Sequence, residues 1–134
     1  MFSAMLLAIS TVALAQFALF YWRAIVAGVA AEPVSGRVLE AVHVAGGELS
    51  GKDFDVLAEL HELTPDLRPS QAGLGFVRVY FKAVQLVGAL AANSLPALSA
   101  WAEREGMLCA RYAAVQIDRR LQANLALAAS IRSC

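Results

Sequence analysis

FSAMLLAISTVALAQFALFYW, residues 2–22, decides how this chain is organised. None of its side chains carries a formal charge, and Gln16 is its only strongly polar residue. As a helix rising ~1.5 Å per residue it would be ~30 Å long, which matches the hydrocarbon core of a bilayer. We therefore expect two units: a transmembrane anchor helix with a juxtamembrane extension at 1–31, and a membrane-proximal helical domain at 32–134.

The apolar run is expected to be a retained, single-pass anchor rather than a secretory signal. A signal carries positive residues before its apolar region, whereas only the α-amino group precedes this run. The run is also longer than the apolar region of a usual signal, although small residues ending at Ala15 and Ala31 resemble cleavage sites.

The residues that follow the run are typical of a membrane–water interface. Tyr21 and Trp22 favour the headgroup level, and Arg23 can extend towards lipid phosphates. Arg23 and Arg37 follow the span, and no Lys or Arg precedes it. This bias favours a head domain in the cytoplasm.

Small residues form a stripe along one face of the expected anchor. They recur at a 4-3-4-3 spacing, which places them on a single helix face, and Gln16 lies one residue past the stripe. Such a face lets another helix approach closely in lipid. It predicts contact with another membrane subunit or a second copy, although an Ala-rich helix also shows such stripes by chance. The stripe consists of Ala4, Ala8, Thr11, Ala15 and Ala18.

Helical periodicity continues after the anchor and predicts an all-α fold with about three further helices. A helical run from Val34 ends at Gly46-Gly47, and His43 within it is expected to make an interfacial polar contact. Ser50 and Asp53 form a capping box, and Thr64-Pro65 ends the helix that they begin. Leu49 and Phe54 are placed to pack as a hydrophobic staple at its start.

The last two helices are expected to form a long antiparallel hairpin. The first opens after Pro69-Ser70, and the second runs from Pro96 to about Ile131. The stretch from Ala83 to Trp101 is uncharged, and we favour a buried helix and turn there over a transmembrane hairpin. The packed face predicted for the first helix comprises Leu74, Val77, Phe81, Val84, Gly88 and Ala91. The stripe predicted for the second comprises Leu98, Trp101, Leu108, Tyr112 and Val115, continued by Ile117, Leu121, Leu125, Ala128 and Ile131.

Charge is divided unevenly along the chain although the formal net charge is zero. Residues 32–66 hold eight acids and two bases, and residues 67–134 hold eight bases and three acids. We expect the acidic segment to dock internally on the basic one, with a basic face for a partner or anionic lipid as the alternative. The basic face would comprise Arg104, Arg111, Arg119 and Arg120, which are expected to pair with Asp55, Glu59 and Glu62.

The sequence offers no constellation typical of catalysis, and we infer no catalytic, cofactor or metal site. His61-Glu62 lacks the second histidine that a zincin motif needs four residues on, where Pro65 stands. Nothing indicates nucleic-acid binding or a small-molecule substrate. The expectation is therefore a non-enzymatic accessory subunit of a larger membrane assembly. The alternative is an anchored binding module that recruits a cytoplasmic partner or anionic lipid.

Overall fold

A computed structural model describes residues 1–41, 49–65 and 74–133. The expectations for His43, Gly46-Gly47, Pro69-Ser70 and Cys134 lie outside these residues. The all-α prediction is confirmed, since no strand occurs within the described ranges. The helices are α1 (Phe2–Ala30), α2 (Gly36–Ala41), α3 (Phe54–Leu63), α4 (Gly75–Ala91) and α5 (Pro96–Arg132).

The start of α3 follows the predicted capping pattern. The Ser50 amide donates to Asp53 Oδ2 at 2.8 Å, and the Lys52 amide donates to Ser50 Oγ at 3.1 Å. A 3-10 turn at Gly51–Asp53 precedes the α-helix itself. The helix ends before Thr64, whose extended backbone stops it as predicted.

The core of the head forms where α3 and α4 pack on the middle of α5. The rings of Phe54 and Phe81 lie 4.1 Å apart between centroids, and both side chains are buried. Leu49 and Leu57 are buried in the same cluster. The acidic helix thus docks on the C-terminal helical pair, as expected from its apolar face.

The helices α4 and α5 form the predicted antiparallel hairpin, joined by a turn at residues 92–95. Five positions of the predicted α4 face are buried and Gly88 is half-buried, so this prediction is confirmed. A Cβ added at Gly88 would lie 2.9 Å from Ala102 Cβ. The two helices therefore approach each other closely at this level.

The tip of this hairpin is far less buried than the sequence led us to expect. Between residues 83 and 101 only Val84 and Ala91 are buried. The expectation of a buried helix and turn is wrong in respect of burial, because the hairpin extends beyond the helices that cover its base. The predicted α5 stripe is likewise buried at Tyr112 and Val115 but exposed at Leu125.

Helix α1 has two parts with different surroundings. Residues 2–21 are all exposed, whereas Val26 and Ala30 are buried against the head and Trp22 and Val29 pack at the edge of its core. Within the described residues, α1 is the one helix that is long and apolar enough to span a membrane. Its final third belongs structurally to the head.

Candidate functional site at the junction of anchor and head

Three helices meet at one buried carboxylate where α1 enters the head. Glu105 on α5 is only 2% exposed, and its Oε1 forms a salt bridge with the Arg23 guanidinium of α1. Its Oε2 accepts a hydrogen bond of 2.8 Å from the Tyr80 hydroxyl of α4. The Arg23 side chain is 54% exposed, so one charge of the pair is buried and the other reaches the surface. The carboxylate therefore ties α1 to both helices of the hairpin.

Burial and the nearby carboxylate keep the neighbouring acidic groups protonated. Desolvation, followed by the hydrogen bond to Glu105, raises the pKa of Tyr80 above its usual range. Desolvation, followed by the charge of Glu105, raises the pKa of Cys109 to about 12. Since a thiolate is the reactive form of cysteine, Cys109 acts here as a small buried apolar side chain.

The three residues predicted to mark the membrane interface face different surroundings. Tyr21 points away from the head and is exposed. The Trp22 ring packs edge-on against Phe76 at 4.6 Å, and within the described residues its buried indole N–H has no hydrogen-bond partner. Arg23 was expected to reach lipid phosphates, and the structure supplies it with a protein carboxylate, Glu105.

The predicted small-residue stripe lies on the bare part of α1. Its five members and Gln16 are all exposed, and Thr11 Oγ1 donates to the Leu7 carbonyl at 2.7 Å, so that its hydroxyl is satisfied within the helix. Continuing the helical spacing from Ala18 leads to Trp22, Val26 and Val29, which pack on the head. The stripe and the head-packing surface are thus one continuous face of α1.

A second polar network fastens the segment after α1 to the C-terminal half of α5. Arg119 Nε donates to Glu32 Oε2 at 3.2 Å, and its second nitrogen forms a salt bridge with Glu32 Oε1. The Ser35 hydroxyl donates to the buried Asp118, which also accepts from Gln122 at 3.0 Å. The contacts of Glu32 and Ser35 with α5 join parts of the chain that are more than 80 residues apart.

The predicted basic face is divided by these contacts. Arg119 pairs with Glu32, and Arg120 donates to the His61 carbonyl at 3.1 Å, near the end of α3. The expected pairing of Arg119 with acids of α3 is therefore wrong, because the chain after α1 reaches it. On α3, Glu62 pairs instead with Arg78 of α4 at 2.6 Å. Arg104 and Arg111 are exposed, and Arg104 Nε donates to the Ala100 carbonyl.

An open cleft of about 420 Å³ lies between the 3-10 turn and the hairpin. Its floor includes Phe81 and Gly106, and Lys52 and Glu103 stand at its edge. A Cβ on Gly51 would lie 3.3 Å from the Gly106 backbone, so the turn and α5 touch main chain to main chain. Within the described residues no group of three or more His, Cys, Asp or Glu side chains is arranged to hold a metal ion.

The sequence reasoning missed Glu105 as the centre of the junction. A signal was present, because Glu105 follows Trp101 by four residues and precedes Leu108 by three. It therefore occupies the gap in the apolar stripe predicted for α5. An acid at a stripe position indicates a buried charge that needs a partner.

Comparisons with protein-family models, with curated protein sequences and with solved structures found no match.

Proposed function

We propose that this chain is a non-enzymatic accessory subunit of a larger membrane assembly, anchored by α1. The observation that carries the proposal is the continuous face of α1. The C-terminal part of this face, at Trp22, Val26 and Val29, packs on the head. The small residues nearer the N-terminus of α1 remain uncovered. In lipid, helices associate by close packing, and small residues permit it. The uncovered part would take a helix of another subunit or of a second copy.

Retention of α1 is supported by its place in the core. Cleavage after Ala31 would remove Val26 and Ala30 from the core and would leave the buried Glu105 without its arginine. An unpaired buried charge is costly, so a head lacking α1 would be strongly destabilised. This supports an anchor that remains attached to the mature head.

The head is proposed to lie in the cytoplasm, because Arg23 and Arg37 follow the span closely and such cations favour the cytoplasmic side. A membrane-impermeant thiol reagent added to intact cells tests this orientation. Cys109 is buried, so labelling would report Cys134, with Cys134→Ser as the control. We expect no labelling until the cells are permeabilised; labelling of intact cells would reverse the orientation.

Association through the small face is tested by crosslinking in membranes and by purification in mild detergent. Ala15→Leu places a bulky side chain on the face, and Ala8→Leu adds a second. Ala13→Leu makes the same change two residues away, on the opposite side of α1. We expect the Ala8→Leu/Ala15→Leu variant to lose crosslinked product and co-purifying subunits, and Ala13→Leu to keep them. All variants should remain in the membrane. Equal association in every variant would refute the proposal.

The alternative, a module that recruits a partner or anionic lipid through a basic face, draws less support. Arg119 and Arg120 both contact other parts of the head, which leaves Arg104 and Arg111 as the exposed members. A recruiter would also purify alone or as a homo-oligomer, whereas an accessory subunit would remain with its complex.

A further inference from the structure

The direction of the hairpin relative to the anchor follows from three contacts. Along α1 and the residues after it, Arg23, Glu32 and Ser35 come in order, and their partners on α5 advance in the same direction, from residue 105 to residues 118–119. The C-terminal part of α1 therefore runs parallel to α5. Because α4 is antiparallel to α5, the turn between them points the same way as the bare part of α1.

The hairpin tip carries no charge over residues 83–102. Charges begin at its base on each helix, with Lys82 on α4 and Glu103 on α5. Tyr80, two residues before Lys82, contacts the same carboxylate as Arg23. Arg23 is the first charged residue after the apolar part of α1. The charged side chains of these three helices thus begin near one level, and the parts of α1, α4 and α5 beyond it carry no charged side chain.

The tip has small residues between its two helices, and its outer surface carries large apolar residues beside the exposed polar residues Gln85, Asn93 and Ser94. Gly88 faces Ala102 closely and Ala91 is buried, while large side chains point outward. Helices that pack in lipid show this arrangement, because small residues allow close approach and lipid accommodates the large ones. The exposed apolar residues of the tip are Leu86, Val87, Leu90, Leu95 and Leu98.

The length of the tip permits entry into one leaflet but not passage across the bilayer. From Glu103 to Pro96 α5 advances ~10 Å, less than half of a ~30 Å hydrocarbon core. The turn is internally bonded, since the Ser94 and Leu95 amides donate to the Ala91 carbonyl at 3.1 and 2.9 Å. Its backbone therefore brings few unsatisfied amides into the boundary between headgroups and acyl chains.

We propose that the α4–α5 tip, residues 83–102, is a re-entrant element that inserts into the head-side leaflet beside α1. The occupant of its apolar surface is lipid, and the chain would remain single-pass. This inference rests on the proposed function in one respect, because it takes α1 to be the membrane anchor. The anchor and the tip would together hold the head against the bilayer at two points.

Three exposed leucines provide matched test positions: Leu14 on α1 is 72% exposed, Leu63 on α3 is 74% and Leu90 at the tip is 73%. Each is changed to Cys in a full-length Cys134→Ser background, where Cys109 is buried. The proteins are reconstituted in phosphatidylcholine vesicles at high lipid-to-protein ratio. A water-soluble maleimide is then added.

Leu63→Cys should react rapidly. The labelling rates of Leu14→Cys and Leu90→Cys should be lower by a factor of about ten or more, because hydrocarbon disfavours the reactive thiolate. In a second measurement each variant is labelled with bimane in detergent and reconstituted with lipids brominated on their acyl chains. Bromolipid should quench the probe at positions 14 and 90 and spare the probe at position 63.

The outcomes separate the two proposals. If Leu90→Cys reacts like Leu63→Cys while Leu14→Cys is protected, the tip stands in water and only this inference is overturned. If all three react alike, α1 is not in the membrane and the proposed function also fails. Protection at position 90 without bromolipid quenching would mean that a second copy of the chain covers the tip, which also overturns the inference.

Discussion

Replacement of Arg23 should destabilise the head more than replacement of Glu105, although the two residues form one salt bridge. Arg23→Met leaves the buried carboxylate with only the Tyr80 hydroxyl. Removing one partner of a fully buried pair costs ~3–5 kcal/mol. Because Arg23 is 54% exposed, solvent already weakens the pair, and we expect a cost of about 2–3 kcal/mol.

Glu105→Gln should cost less, about 1 kcal/mol. The amide oxygen can still accept from Tyr80, and the freed guanidinium can turn to water or headgroups. A neutral side chain at position 105 no longer needs a cation. The variant Arg23→Met/Glu105→Gln should therefore be more stable than Arg23→Met alone, which is a non-additive result.

The assay is urea unfolding of the four proteins in one detergent, followed by near-ultraviolet circular dichroism with linear extrapolation of the free energy. Wild-type stability for Arg23→Met would refute the reasoning. So would a larger loss for Glu105→Gln than for Arg23→Met, because the buried carboxylate would then not depend on the arginine.

Other predictions concern packing and pH. Leu57→Ala should lower the free energy of unfolding by about 2–5 kcal/mol, and the exposed Glu59→Gln by at most about 0.5. Gly88→Ala should cost about 1–3 kcal/mol by pushing a methyl group onto α5, whereas Gly28→Ala, with open space around it, should cost nothing in the same urea titration. Because the pKa of Cys109 rises to about 12 on folding, from an ordinary value of 9.0, the folded state holds the thiol proton more tightly. The contribution of Cys109 to stability should be constant below pH 9 and should decrease as pH rises towards 12, so Cys109→Ala should flatten part of the fall in stability over that range.

Features that depend on neighbouring residues could be predicted from the sequence. The capping box at Ser50 and Asp53 closes within four residues, and the α4 face from Leu74 to Ala91 follows from helical periodicity alone. Each prediction depends only on which side of one helix is apolar or on how one helix begins. Those questions are answered by local spacing.

Features that depend on which helices meet could not be predicted in the same way. Periodicity placed Arg119 off the apolar stripe of α5 but could not show that Glu32, 87 residues away, would reach it. The exposure of Leu90 likewise depends on how far the hairpin extends beyond α3. Long-range docking, rather than local preference, decides both.

The salt bridges of Glu32 and Arg23 also set an order of events during synthesis. Glu32 leaves the ribosome long before Arg119, and at about 5–20 residues per second the delay over 87 residues is roughly 4–17 s. During that interval α1, which we propose as the membrane anchor, can enter the bilayer while the polar groups at its base still lack their partners. Because most of the core forms around α5, a chain truncated before Asp118 would carry α1 without completing its fold. The head should therefore close only after α5 has left the ribosome, with quality control able to act on the unfinished chain until then.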